Sequence, residues 1–128
     1  MKVELFPFQK VALARLRQSV AMAIGNYKVT NVPQVVSYTA PTGAGKTIIM
    51  AALVESVYYG DDNYADQNDA IFVWLSDSPQ LNEQSKLKIE TKAEKCFGRC
   101  VTITDEAFDQ EILEDGHIYF LNTQKLGK

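Results

Sequence analysis

Between residues 8 and 24 the apolar side chains Phe8, Ala12, Leu16, Val20 and Ile24 recur at every fourth position, with Leu13 beside them. Lys10, Arg15, Arg17 and Gln18 take the remaining face. That recurrence predicts an amphipathic helix, punctuated by Pro7 at its start and Gly25-Asn26 at its end. Residues 34–39 (QVVSYT) are β-branched and aromatic, which predicts a short buried strand. Residues 47–59 (TIIMAALVESVYY) are apolar almost all round and predict a largely buried helix. Residues 70–75 (AIFVWL) form a continuous apolar run, the pattern of a strand buried on both faces of a parallel sheet. Ser78 as N-cap with Pro79 at the first helical position opens a further helix, running to about Cys96. Residues 100–104 (CVTIT) and 117–121 (HIYFL) read as two more strands, with a short helical turn at 108–113 between them. Strands alternating with helices predict an α/β fold with a parallel sheet.

Composition narrows this reading little. With 128 residues, 46% hydrophobic and 23% charged, the chain has the make-up of one soluble globular domain or part of one. It contains no run of about 18 apolar residues and no apolar leader, so neither a membrane span nor secretion is expected, and a cytoplasmic location is. Cys96 and Cys100, with His117 as the single histidine, fall short of the four ligands of a structural zinc site and are expected to be reduced thiols. Residues 60–69 (GDDNYADQND) carry four aspartates without calcium-loop spacing and read as a solvated loop. The net charge of −3 is unevenly spread: residues 1–50 hold six basic side chains and one acidic, the remainder seven basic and fifteen acidic. Such asymmetry suits a polyanion near the N-terminal half, and it also arises from solvated helix faces.

The chemistry lies in residues 38–47 (YTAPTGAGKT), between a predicted strand and a predicted helix, where a phosphate-binding loop belongs. Gly43, Ala44 and Gly45 let successive N–H groups line one concavity at the positive end of the following helix. Lys46 is placed to reach the β- and γ-phosphates of a nucleotide, and the Thr47 hydroxyl to bind the Mg²⁺ that bridges them. Ala40 stands where the general pattern has its first glycine.

The form Ala40-x-Thr42-Gly43-x-Gly45-Lys46-Thr47 resembles the superfamily II helicases and translocases more than kinases or small GTPases. Upstream, Phe6-Pro7-Phe8-Gln9 looks like the adenine-reading segment of such helicases. The resemblance gives Gln9 the adenine edge, with Phe6 or Phe8 as a stacking partner. Downstream, Trp74-Leu-Ser-Asp-Ser-Pro-Gln-Leu-Asn-Glu-Gln84 resembles the first nucleic-acid-contacting motif, with Ser78, Pro79, Leu81 and Gln84 as the matching positions. Ile118-Tyr-Phe-Leu-Asn-Thr-Gln-Lys-Leu126 resembles the segment that touches the tracked strand, through Thr123 and Lys125. Within the superfamily these segments look most like the helicase subunit of type III restriction enzymes. The resemblance runs from Phe6 to Leu126.

It implies a RecA-like P-loop fold, a three-layer parallel sheet with helices on both faces, of which residues 1–128 are the incomplete N-terminal portion: 1–30 the helix with the glutamine motif, 34–59 strand, phosphate loop and helix, 70–128 the remaining βα units. It implies ATP and Mg²⁺ as cofactors, Lys46 and Thr47 as catalytic positions, with Phe6, Gln9, Thr42, Gly43, Ala44 and Gly45 completing the nucleotide site. Nucleic acid, DNA in particular, and a second RecA-like domain are the implied partners. Asp105-Glu106 imitates the family's magnesium-binding carboxylate pair, yet it precedes Thr123, whereas that pair follows the Thr segment. The chain is therefore expected to bind nucleotide and to lack turnover by itself. Two alternatives stay open: a compact P-loop kinase or nucleotide hydrolase using Asp105 or Asp77, and a non-catalytic nucleotide- or nucleic-acid-binding module.

Overall fold

A computed structural model of the chain describes residues 1, 4–39, 45–76, 78–103 and 113–122. The elements follow in the order α1 (Pro7–Thr30), α2 (Lys46–Tyr59), β1 (Phe72–Ser76), α3 (Pro79–Lys92), a 3₁₀ turn (Glu94–Cys96), β2 (Cys100–Thr102) and β3 (Ile118–Asn122). The three strands form one parallel sheet in the order β1-β3-β2. Phe72, Ile118 and Cys100 stand in one row across it, Trp74, Phe120 and Thr102 in the next.

Helices α2 and α3 cover one face. Ala51, Val54 and Tyr58 of α2 and Ile89 of α3, with Ala93 and Cys96 beyond it, close over Ile118 and Phe120. Trp74 stacks on Phe120 at 5.8 Å, and Tyr58 meets Phe72 edge-on at 5.1 Å. Helix α1 packs on the outside of α2 through Leu16, which joins Ile49, Leu53 and Val57. Most of the connection from β2 to β3 (104–112) lies outside the described residues, as does nearly all of the helical turn expected at 108–113.

Four sequence expectations change. Helix α1 runs through Gly25-Asn26 to Thr30 and stops only at Asn31, whose backbone is left-handed (φ 59°) and whose N–H donates to Tyr27 O at 2.7 Å. One interior glycine costs only about 1 kcal/mol, too little to end a helix. On α1 the burial also departs from the fourfold pattern: Phe8 is exposed, whereas Gln9 and Arg17 are buried. Residues 34–39 show no regular structure and are mostly exposed; strand propensity is realised only against a neighbouring strand, and none of the three described strands pairs with them. The 70–75 run is buried on one face only, with Val73 48% and Leu75 51% exposed. Among the described strands it is an outer one, with a neighbour on one side. The strand buried on both faces is the central one, β3, where every residue is buried.

Gly60 ends α2 with φ 68°, and a Cβ there would stand 2.6 Å from Tyr64 O. The chain consequently turns back on itself, and Asp61 Oδ1 accepts from the Asn63 and Tyr64 N–H groups. Among the described residues no helix is long and apolar enough to cross a membrane.

Both cysteines are free thiols packed in or against the core. Burial pushes the Cys96 thiol from 9.0 up to about 11, with Glu55 adding repulsion. Burial likewise lifts the Cys100 thiol from 9.0 to about 12, with Glu90 adding to it. Raising a thiol's pKa by about two cuts its thiolate fraction about a hundredfold. At pH 8 the folded chain should therefore be alkylated by iodoacetamide at least about a hundredfold more slowly than the urea-unfolded chain. The same displacement ties stability to pH. The folded state keeps protons that the unfolded state releases, so this stability is full below pH 9 and drains away as pH rises through about 11 and 12. Denaturant titrations on either side of pH 9 would read it as a falling midpoint.

Candidate functional site

Two observations fix where the start of α2 sits. Near its end, Tyr58 Oη donates to Ala70 O at 2.9 Å, at the entry to β1. From Tyr58 back to Lys46 the helix climbs about 18 Å at 1.5 Å per residue, close to the reach of the strand from Ala70 to Ser76. Lys46 therefore lies level with the C-terminal ends of the strands, the edge at which open parallel sheets bind ligands. β1 and β3 end there at Ser76 and Asn122, and α3 begins there at Pro79.

At that edge Gly45 is the N-cap of α2 and is left-handed (φ 76°, ψ 39°). Lys46 is exposed and Thr47 half-buried. The first N–H groups of a helix have no partner within it and carry its positive pole, so this end suits an anion. Thr42, Gly43 and Ala44 lie outside the described residues.

Gln9 comes to the same place from α1. It is buried (6% exposed), and its Oε1 accepts from the Phe6 N–H at 2.9 Å. Its Nε2 lies directly against Gly45, where a Cβ would collide with it. Phe6 and Phe8 stand out in solvent, stacked on each other at 6.1 Å and 12°.

The candidate nucleic-acid positions are divided. Ser78 Oγ accepts from the Leu81 N–H at 3.3 Å and so caps α3; the Ser78 N–H itself donates to Ser76 Oγ at 3.1 Å. Pro79 and Gln84 are exposed on α3. Thr123 and Lys125 lie outside the described residues, as do Asp77, Asp105 and Glu106. Asn122, immediately before Thr123, ends β3 at the sheet edge already described.

Three polar side chains that shape the packing escaped the sequence reading, two of them buried. Arg17, on what reads as the polar face of α1, is 3% exposed, with Nε donating to Ser56 Oγ at 3.0 Å and its guanidinium 4.1 Å from the centre of the Tyr64 ring. Asn82 is buried with Oδ1 unpartnered. Arg99 joins four segments through its guanidinium. No spacing in the sequence separates Arg17 from Arg15 or Lys10; its burial follows from the loop that folds over it.

A family model described as type III restriction enzyme, res subunit, matches residues 2–128. No curated protein matches the chain, and no solved structure does.

Proposed function

Since the chain belongs to the family of the type III restriction enzyme res subunit, whose domains are RecA-like P-loop motors of superfamily II, we propose that it binds Mg·ATP at Gly45–Thr47 and Gln9 and contacts the backbone of DNA with the neighbouring end of α3. The observation that carries this reading is the contact of Gln9 with Gly45. Two motifs far apart in sequence, each with a role in nucleotide binding by resemblance, meet at the exposed start of a helix.

The residues fit the cofactor. Lys46 would hold the β- and γ-phosphates, Thr47 the magnesium ion, and the α2 N-terminus would add its amides. Gln9 would turn its side-chain amide to the adenine edge, as the resemblance implies, beside Gly45. Bound ATP supplies a phosphoanhydride whose cleavage drives the motor. Ser78, Pro79 and Gln84, with Thr123 and Lys125, would form a backbone-reading surface along the same edge, which carries no sequence information. Turnover would also require carboxylates and a second motor domain; residues 1–128 are proposed to bind nucleotide without hydrolysing it at an appreciable rate.

Calorimetric titration with Mg·ADP tests the reading. Saturable binding that is lost in Lys46→Ala, with an unchanged circular-dichroism spectrum, is the expected result. A folded chain that binds nothing, or a Lys46→Ala variant that binds equally well, would overturn it. Rapid ATP turnover would favour a compact P-loop hydrolase.

A further inference from the structure

We propose that the cleft between α1, α2 and the loop at residues 61–64 is a binding site for a free apolar α-amino acid. The cleft has a volume of about 430 Å³, within the range that holds small molecules. Leu5, Leu13, Ala14 and Ala52 give it apolar walls; Arg17, Lys10 and Lys95 bring positive charge to it, and Glu55 and Asp61 negative charge.

Arg17 and Glu55 each have an unused hydrogen-bonding atom shielded from solvent, so a ligand reaches them only as these side chains turn toward the cleft. Arg17 is buried, its Nε is committed to Ser56, and its Nη1 has no partner. No carboxylate pairs with it among the described residues. Glu55 Oε1 accepts from the Met1 ammonium at 2.9 Å, while Oε2 has no partner. Buried polar atoms of this kind are rare in folded proteins and call for an explanation. One donor with positive charge and one acceptor with negative charge, beside an apolar wall, complement a zwitterion with an apolar side chain. Arg17 takes the carboxylate and Glu55 the ammonium. The Met1 ammonium already on Glu55 is the same chemistry supplied by the chain itself.

Tyr64 controls access. Its ring covers the Arg17 guanidinium, and both residues also line a smaller adjoining cavity of about 190 Å³. Tilting Tyr64 off the guanidinium opens Nη1 to the ligand.

The probe is L-phenylalanine, titrated into the ¹⁵N-labelled 128-residue chain, with phenethylamine and 3-phenylpropionate as analogues lacking one charge each. L-phenylalanine should give saturable shifts at the Arg17 Nε–H and at the Ser56 and Tyr64 amides. Each analogue should bind about tenfold to a hundredfold more weakly, the loss expected for one charged hydrogen bond. Arg17→Gln should abolish the shifts. If that variant fails to fold, Ala14→Leu decides, since Ala14 is exposed on the wall and its enlargement fills the space without touching either charge. Absence of saturable shifts with L-phenylalanine overturns the proposal. Equal binding of both analogues, or binding unaffected by Ala14→Leu, overturns it as well.

Discussion

Gly45→Ala is expected to lower stability by about 2–3 kcal/mol and to weaken Mg·ADP binding at least about tenfold. Two causes contribute. A left-handed backbone at φ 76° costs a side-chain-bearing residue about 1–2 kcal/mol. The new methyl group also meets Gln9 Nε2, and the shift it forces strains the bond that Gln9 Oε1 accepts from the Phe6 N–H, worth about 1 kcal/mol. The causes separate in a double-mutant cycle with Gln9→Ala. In that background the methyl meets no amide, so Gly45→Ala should cost only its backbone share. The coupling should be about 1 kcal/mol. Denaturant titration of the four proteins measures it, and strictly additive losses would show that Gln9 does not press on the loop.

Arg99→Ala should cost about 2 kcal/mol, through the loss of several charge-assisted hydrogen bonds at a half-buried side chain. The guanidinium Nε donates to Tyr59 Oη at 3.0 Å, Nη1 to the Gly116 carbonyl at 2.7 Å and the Asn68 carbonyl at 3.1 Å, and Nη2 to Asn68 Oδ1 at 3.1 Å. Its carbon lies 4.0 Å from the centre of the Tyr58 ring, near enough for cation–π attraction. The end of α2, the turn before β1 and the entries to β2 and β3 thus share one side chain. Arg99→Lys should recover little, because an ammonium group cannot reproduce a planar fork. A urea midpoint close to that of the parent chain in Arg99→Ala would contradict this account.

Periodicity located α2 and α3 to within a few residues because each has strong local cues: an unbroken apolar sequence in one, a Ser-Pro start in the other. The strands at 100–102 and 118–122 were legible for the same reason, and the family was legible from Gly43-Ala44-Gly45-Lys46-Thr47 together with Gln9. What failed was non-local. Whether residues 34–39 form a strand depends on a partner strand, and whether 70–75 is buried on both faces depends on its place in the sheet. Neither is written in the segment itself. Arg17 and Arg99 look like any surface arginine until the loops bearing Tyr64 and Asn68 close over them. Within the site, Gln9 was legible as a candidate, whereas its contact with Gly45 required the packing of α1 against α2.

The strand order has a consequence for synthesis. Among the described residues β1 and β2 do not pair with each other; each pairs with β3 alone, and β3 leaves the ribosome last of the three. No pair of described strands can form until residue 122 has emerged. At about 5–20 residues per second, β1, with Val73 and Leu75, waits several seconds for its neighbour. During that interval it is a sticky nascent segment, and slower elongation between residues 76 and 118 should lengthen its exposure to chaperones.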